Sequence, residues 1–509
     1  MVDDEVKNSS GKEEADREMA SYELNANGIL ARVRIMDRGG IVPSYEVTVP
    51  GLGEATKILI ASLRQELLRL VPIDTSKIGD QEYVKELNKK YTDAAAVVIE
   101  RYLPGTAREV KTILIAYIIN LMLGLGDMEV LLSDDNLEEI AVNSAKDGVW
   151  VFHKVYSWCR TNIKIYSDED IYDRSDQIGR RVGRQISTLT PLMDAELGDG
   201  SRVNATLYPI SQRGNTITIR KFSKNPWTMP ALMERNTVSP EIAAIIWLCM
   251  QNEISVLISG GTASGKTSFL NAMSIFMPSN HRVISIEETR ELTLPNFLQW
   301  VPMLTRQANA EGKGEISLYN LMINALRQRP DIILVGEIRT KWDAQTLFEA
   351  IHTGHAVYGT IHADNVQDTV IRMTNPPIEL PKIMLNSLGG VISLFRHRRL
   401  GIRRVLEFGE ITNSGDANVL NRWNMRSDTF AKISNMTRLA EIIALYGGYT
   451  YNEILEDVAE KGTILQWMVN NKITDVDRAG GVVAKYYKDK DAVVKIINDK
   501  VPYSDDLFK

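Results

Sequence analysis

The eight residues Gly260-Gly-Thr-Ala-Ser-Gly-Lys-Thr267 match the pattern G-x-x-x-x-G-K-[ST], and the reading of the whole chain turns on them. Before them, ISVLIS is apolar and β-branched; after them, SFLNAMSIF suits a helix. Strand, loop and helix thus follow in the order that phosphate binding needs. Glycines let the backbone wrap an anion, and the N–H groups at the helix start point at it. Lys266 would reach the β- and γ-phosphates of ATP, and the Thr267 hydroxyl would ligate Mg²⁺. The candidate nucleotide-binding residues are Gly260, Gly261, Thr262, Ala263, Ser264, Gly265, Lys266, Thr267 and Ser268.

Downstream, the run HRVISIEETREL reads as a buried strand, Arg282 to Ile286, with Glu287 and Glu288 at its carboxyl end. That end is the ligand side of an open α/β sheet, where a carboxylate orients or deprotonates an attacking water. A solvated acidic turn is the bland alternative. In RPDIILVGEIRT the apolar residues Ile332 to Val335 lead to Gly336-Glu337-Ile338-Arg339, which resembles a Walker B strand. Glu337 there can hold Mg²⁺ directly or through water. Its alternative is a structural ion pair with Arg339. The fourth block, AIHTGHAVYGTIHADN, holds His352, His355 and His362, three of the chain's six histidines. Two readings compete: a histidine metal cluster, or an imidazole donating to the γ-phosphate. The strand AVYGTI between His355 and His362, with no matching acidic ligand, favours the phosphate contact.

Further out, 509 residues are too many for one core and point to roughly two to four domains. Residues 1–20 read as a disordered acidic tail with no signal-peptide core. Residues 21–135 read as mostly helical after a strand-like interlude, ILARVRIMDRGGIVPSYEVTVP. Within them TKILIASLRQELLRLV sets Ile58, Leu59, Leu63, Leu67, Leu68 and Leu70 near helical spacing. TILIAYIINLMLGLG is shorter than the roughly 20 residues a bilayer needs and reads as a buried helix. Residues 136–222 carry short β runs around one helix, an α+β domain. Residues 223–231, with Pro226 and Pro230, read as a linker; 232–410 alternate strand and helix as a RecA-like α/β core; 411–509 read as a helical appendix. Two distant cysteines exclude a disulfide framework and fit a reducing cytoplasm, while a net charge of −6 argues against a general nucleic-acid binder.

The ordered blocks GGTASGKT, ISIEETREL, ILVGEIR and TGHAVYGTIHA resemble the Walker A, Asp box, Walker B and His box of the type II/type IV secretion ATPases. The resemblance covers roughly residues 125–410. Upstream, GDMEVLLSDDNLEEIAVN and MDAELGDGSRVNATLYP resemble the archaeal branch, with the archaellum (archaeal flagellum) motor and assembly ATPase nearest and archaeal pilus ATPases close behind.

This resemblance implies a catalytic glutamate at Glu287, with Glu288 where the family usually has aspartate, and a Walker B acid at Glu337 on Mg²⁺. It implies His-box roles for His355 and His362. Arg202 in DGSRVN and Arg220 in TITIRKF match arginines that reach the phosphates, with Arg213 a weaker candidate. It further implies a homo-hexameric ring on the inner face of the cell membrane, beneath a polytopic membrane platform protein and beside accessory archaellum or pilus motor proteins. Against this motor stand a nucleic-acid-translocating RecA-like motor, disfavoured by the acidic charge and the His box, and a non-hydrolysing structural subunit, disfavoured by Glu287 and Glu337.

Overall fold

The computed structural model describes residues 16–26, 28–49, 53–72, 81–222, 225–306, 308, 312–397 and 399–508. The chain divides into two units, Met1–Ser223 and Lys224–Lys509, each with its own sheet and core.

In the first unit the strands are β1 (Arg17–Ala26), β2 (Ile29–Asp37), β3 (Ser44–Thr48), β4 (Leu137–Val142), β5 (Val149–His153), β6 (Ser157–Thr161), β7 (Leu192–Glu196), β8 (Arg202–Thr206) and β9 (Thr216–Arg220). They form one sheet in the order β1-β2-β3-β6-β5-β4-β9-β8-β7. Its helices are α1 (Glu54–Leu70), α2 (Gln81–Tyr102), α3 (Arg108–Leu123), α4 (Met128–Ser133) and α5 (Asp168–Arg181). One face of strand β2 feeds two core clusters: Ile29, Ala31, Val33 and Ile35 all alternate inward on it. The first two pack with Leu63 and Leu67 of α1, Tyr91 of α2 and Ile118 of α3, and the last two with Ile140, Val151 and Ile171.

The limit expected for the N-terminal tail needs correction here. Residues 1–15 lie outside the described residues, but Arg17–Ala26 is a strand, so the tail does not run to residue 20. Alternation explains this: Tyr22, Leu24 and Ala26 turn toward the core while Ser21, Glu23 and Asn25 face solvent. Strands β2 and β3 fall within the strand-like interlude, and α1 to α4 follow it, so the segment 21–135 is otherwise mostly helical as expected. Along α1 the apolar stripe is narrower than its spacing suggests. Ile60, Leu63 and Leu67 are buried, whereas Ile58, Leu68 and Leu70 are exposed.

The second unit begins with α6 (Met229–Glu234) and α7 (Pro240–Gln251), then β10 (Val256–Gly260), α8 (Lys266–Met273), β11 (Arg282–Glu287) and β12 (Gln299–Leu304). It continues with α9 (Leu318–Leu326), β13 (Ile332–Ile338), α10 (Lys341–His352), β14 (Ala356–Ile361), α11 (Val366–Thr374), β15 (Gly390–His397) and β16 (Ile402–Ile411). Last come β17 (Ala417–Asn424), β18 (Thr429–Lys432), α12 (Arg438–Gly447), α13 (Tyr451–Asn470), α14 (Val476–Lys488) and α15 (Lys490–Asn498). The sheet order is β12-β11-β13-β14-β10-β15-β16-β17-β18. From β12 to β15 neighbours run parallel, and β15 to β18 are antiparallel. Every residue of β10 and β14 is buried, as expected of parallel strands covered on both faces. This is the expected RecA-like α/β core.

Its limits differ from the sequence reading at both ends. The proposed linker 223–231 is not free throughout, because Met229 is fully buried and the Thr228 hydroxyl donates to the Thr474 carbonyl (3.1 Å). The core does not end at 410: β16 runs to Ile411, and β17 and β18 extend the sheet. Nor are α12 to α15 an appendix, since they share one hydrophobic core with α7 and α8. The Trp247 ring stacks on Phe276 (5.3 Å) and meets Tyr486 edge-on (5.1 Å). Trp247 Nε1 donates to the Tyr487 hydroxyl (2.9 Å), which donates to the Phe276 carbonyl (2.6 Å) just beyond α8. Burying each such aromatic ring contributes about 1.5–3 kcal/mol, so these helices hold the far end of the helix that opens at Lys266.

Candidate active site

The loop between β10 and α8 needs its glycines. At Gly260 (φ +154°) a Cβ would lie 2.5 Å from Ser264 Oγ and 2.7 Å from the Leu394 carbonyl oxygen. Gly265, the N-cap of α8, has φ +97°. The loop therefore turns tightly at the carboxyl edge of the parallel strands, where such sheets bind ligands. Lys266 folds back into it. Its Nζ donates to the carbonyls of Gly260 (3.1 Å) and Gly261 (3.3 Å) and to His362 Nδ1 (3.2 Å). Thr267 is half-buried and Ser268 exposed in the first turn of α8.

Three neighbouring strands deliver the other groups to the same edge. Strand β11 ends at Glu287, only 2% exposed. Its Oε1 accepts from the backbone N–H of Glu291 (2.9 Å) and Leu292 (3.1 Å), while Oε2 is buried with no partner among the described residues. Burial pushes its pKa from the ordinary 4.5 up to about 7, despite those two donors. Beside it, Gly336 of β13 packs closely, a Cβ there lying in van der Waals contact with Glu287 Cα (3.4 Å). The register of β13 shifts between Val335 and Ile338, a bulge that re-aims the Glu337 side chain.

Glu337 sits at the centre of a chain of polar contacts. It pairs with His362 Nε2 (3.0 Å) and with Arg339 Nη2 (2.9 Å), and Arg339 Nη1 reaches both Glu288 oxygens at 2.6 Å. Burial alone would raise the Glu337 pKa, but Arg339, His362 and Lys266 outweigh it and hold the carboxylate below its ordinary range. Burial, and then Lys266, lowers the His362 pKa. A neutral His362 then accepts from Lys266 at Nδ1 and donates from Nε2 to Glu337. Burial also lowers Lys266, against the pull of Glu337 and Glu291.

The structure thus gathers Lys266, Glu287, Glu288, Glu337 and His362. It does not bring His355 to them. His355 precedes β14 and His362 follows it, so the two lie about 20 Å apart along the strand. His355 Nδ1 instead contacts Thr353 Oγ1 (3.1 Å) and the Ala350 carbonyl (3.2 Å) at the end of α10. Its assignment to this loop is corrected on that ground, and the same separation counts against the histidine metal cluster that the sequence already disfavoured. Arg202 and Arg220 belong to the first unit, where they are cross-strand partners on β8 and β9. Arg202 lies 3.9 Å from Asp194, and Arg213 pairs with Asp147 (2.9 Å).

Sequence reasoning missed Arg403. It lies on β16, far from every motif, and its Nε donates to the Ala263 carbonyl of the loop (3.3 Å). The hint available was the density of arginines in RHRRLGIRR. For Mg²⁺, the ionised Glu337 carboxylate and the Thr267 hydroxyl are hard oxygen donors at the loop, and the donor set fits that ion.

Comparison with known proteins follows the same lines. The family described as Type II/IV secretion system protein matches residues 130–416. An uncharacterized protein of Methanocaldococcus jannaschii is 33% identical over 381 residues, covering 72% of this chain and 68% of its own. A second from that organism is 37% identical over 322 residues, 62% of this chain but 42% of its own. The Legionella pneumophila ATPase DotB is similar at 19% identity and a TM-score of 0.41, over 72% of this chain and 93% of its own. Fold and phosphate loop define the class as a P-loop ATPase. Within that class, the chain belongs to the type II/IV secretion system ATPase family. Among the described residues no helix is long and apolar enough to cross a membrane.

Proposed function

We propose that this chain is a ring-forming motor that hydrolyses Mg–ATP to power assembly and rotation of an archaeal surface filament, the archaellum. A pilus or secretion system is the second reading, favoured by the breadth of the family itself. The observation that carries the motor reading is the polar chain Lys266–His362–Glu337–Arg339–Glu288, laid along the loop at the carboxyl edge of the sheet. Lys266 would leave the Gly260 and Gly261 carbonyls to meet the β- and γ-phosphates. His362 would turn its Nε2–H from Glu337 to the γ-phosphate, leaving the Glu337 carboxylate free for Mg²⁺. Glu287, at the end of β11, would take the proton of the attacking water on its unpartnered Oε2.

Bound at Thr267 and Glu337, Mg²⁺ would neutralise charge on the phosphate oxygens. Arg202 and Arg220 are proposed to reach phosphate as well. The working assembly is a homo-hexamer on the inner face of the cell membrane, with a polytopic membrane platform protein and accessory motor proteins as partners.

The experiment is steady-state turnover of the purified chain and of Lys266→Ala, each with platform-containing vesicles and with DNA. Turnover should vanish in the variant without loss of fold and rise with the vesicles. Near-normal turnover of Lys266→Ala would sink the reading of the loop. Stimulation by DNA with a steep salt dependence would point to a nucleic-acid motor instead.

A further inference from the structure

Three consecutive backbone N–H groups in the segment after β11 hold two different elements. Glu291 and Leu292 donate to Glu287 Oε1 (2.9 and 3.1 Å), and Thr293 donates to Asn271 Oδ1 (2.7 Å). Asn271 belongs to α8, the helix that opens at Lys266. The segment therefore grips the carboxylate at one residue and the helix behind the phosphate loop at the next.

Asn271 is only 2% exposed and sits between Leu270 and Ala272, both fully buried. Its Nδ2 has no partner among the described residues, so the amide stays in this core with a donor unsatisfied. An apolar side chain of the same size would not carry that penalty. The hydrogen bond that the amide does make is the one to Thr293. The far side of the segment is tethered too. Asp477, in the first turn of α14, accepts the Asn296 backbone N–H at Oδ1 (2.7 Å) and its Nδ2 at Oδ2 (2.6 Å). Gly480 lets α14 lie against the same stretch: a Cβ there would stand 3.0 Å from both Pro295 Cγ and Phe297 Cε1. Between the two tethers, Leu292 and Leu294 are buried in the core that α8 and α14 share.

We propose that Asn271 is a positioning residue for Glu287, with Asp477 as a second tether. Pinning residues 291–296 to α8 and α14 fixes the two N–H donors that orient the carboxylate. The inference rests on the reading of Glu287 as the base. Asn271 acts through the segment and not on the nucleotide, so it bears on the chemical step rather than on binding. Misplacing a reacting group by about 1 Å can cost about a hundredfold in rate.

The test is steady-state turnover of the full chain, with binding of fluorescent ADP and ATP alongside. Asn271→Leu keeps the side-chain size and removes the acceptor. It should lower kcat by about tenfold or more and leave both affinities within about twofold. Asn271→Asp keeps an oxygen for the Thr293 N–H and should recover most of kcat. Asp477→Ala, at a half-buried position, opens the second tether and should lower kcat by about threefold or more, while Asp477→Asn keeps an acceptor for Asn296 and should stay near wild type. Unchanged kcat in Asn271→Leu would overturn the proposal. So would a joint loss of turnover and binding, with a lowered Tm, that Asn271→Asp fails to recover. Should Asn271→Leu not fold, Asp477→Ala decides, and wild-type kcat there would overturn the proposal. Normal turnover in Glu287→Gln would remove the base reading and this inference with it. Lost turnover there beside normal kcat in Asn271→Leu would overturn this inference alone.

Discussion

Glu287 and Glu288 are adjacent in the chain, and their environments are opposite. Glu288 is half-exposed and clamped by Arg339, whereas Glu287 is buried with an oxygen left over. A base must hold its proton weakly enough to release it and strongly enough to take it, which a pKa near the working pH satisfies. With Glu287 pushed up to about 7, kcat/KM for ATP is expected to rise through about pH 7 and level off above it. Glu287→Gln should abolish turnover while sparing ATP binding. The sign of its effect on stability follows from linkage. The folded state keeps the Glu287 proton between the ordinary 4.5 and about 7, so stability falls as pH rises through that window. Removing the charge in Glu287→Gln should then raise the unfolding free energy at pH 8, by on the order of 2 kcal/mol, and change it little at pH 4. Denaturant melts at the two pH values measure this, and equal shifts at both would refute it. The sequence brought both carboxylates to the right strand end but left the choice between them open, because burial depends on what packs over Glu287.

At the scale of elements, β14 makes the clearest case. It carries a histidine at each end, and a strand of this length separates them by more than any side chain spans. His362→Ala should lower kcat by about 10–100-fold, the worth of one hydrogen bond to a charged group, and His355→Ala by less than about twofold. A comparable loss in both would mean that His355 acts elsewhere than at its own loop. The C-terminal helices make a second prediction. Lys461 of α13 is fully buried, pairs with Asp457 (2.5 Å) and lies 5.5 Å from the Trp247 ring centre. Lys461→Ala leaves the buried Asp457 charge with only the Tyr486 hydroxyl (3.2 Å) and the more distant Lys490 (3.9 Å) and should cost about 3 kcal/mol, seen as a lower Tm of the second unit. The double change Lys461→Met with Asp457→Leu should restore most of it. Small effects in both variants would show that α13 is an accessory to the core after all. Helical periodicity made these helices legible, but not their partner, since amphipathic stripes name a face and not what covers it.

Over the whole molecule, a ring motor and an independent enzyme differ in how they respond to dead subunits. Titrating Lys266→Ala into wild type at constant total protein is expected to reduce turnover faster than the wild-type fraction falls, because one silent subunit stalls its neighbours. A strictly linear fall would mean that subunits work alone. Several features of this protein were readable without any fold: the phosphate loop, the order of acidic and histidine blocks, and the alternation of strand and helix between 232 and 410. Each is local, a matter of backbone freedom at glycine, of period, or of charge at a strand end. Tertiary structure alone decided the rest. It put His355 out of reach, buried Glu287 but not Glu288, carried the sheet on to Lys432 and laid Arg403 against the loop from far along the chain. Those outcomes depend on which strands lie side by side, and pairing between distant segments leaves no period in the sequence to read.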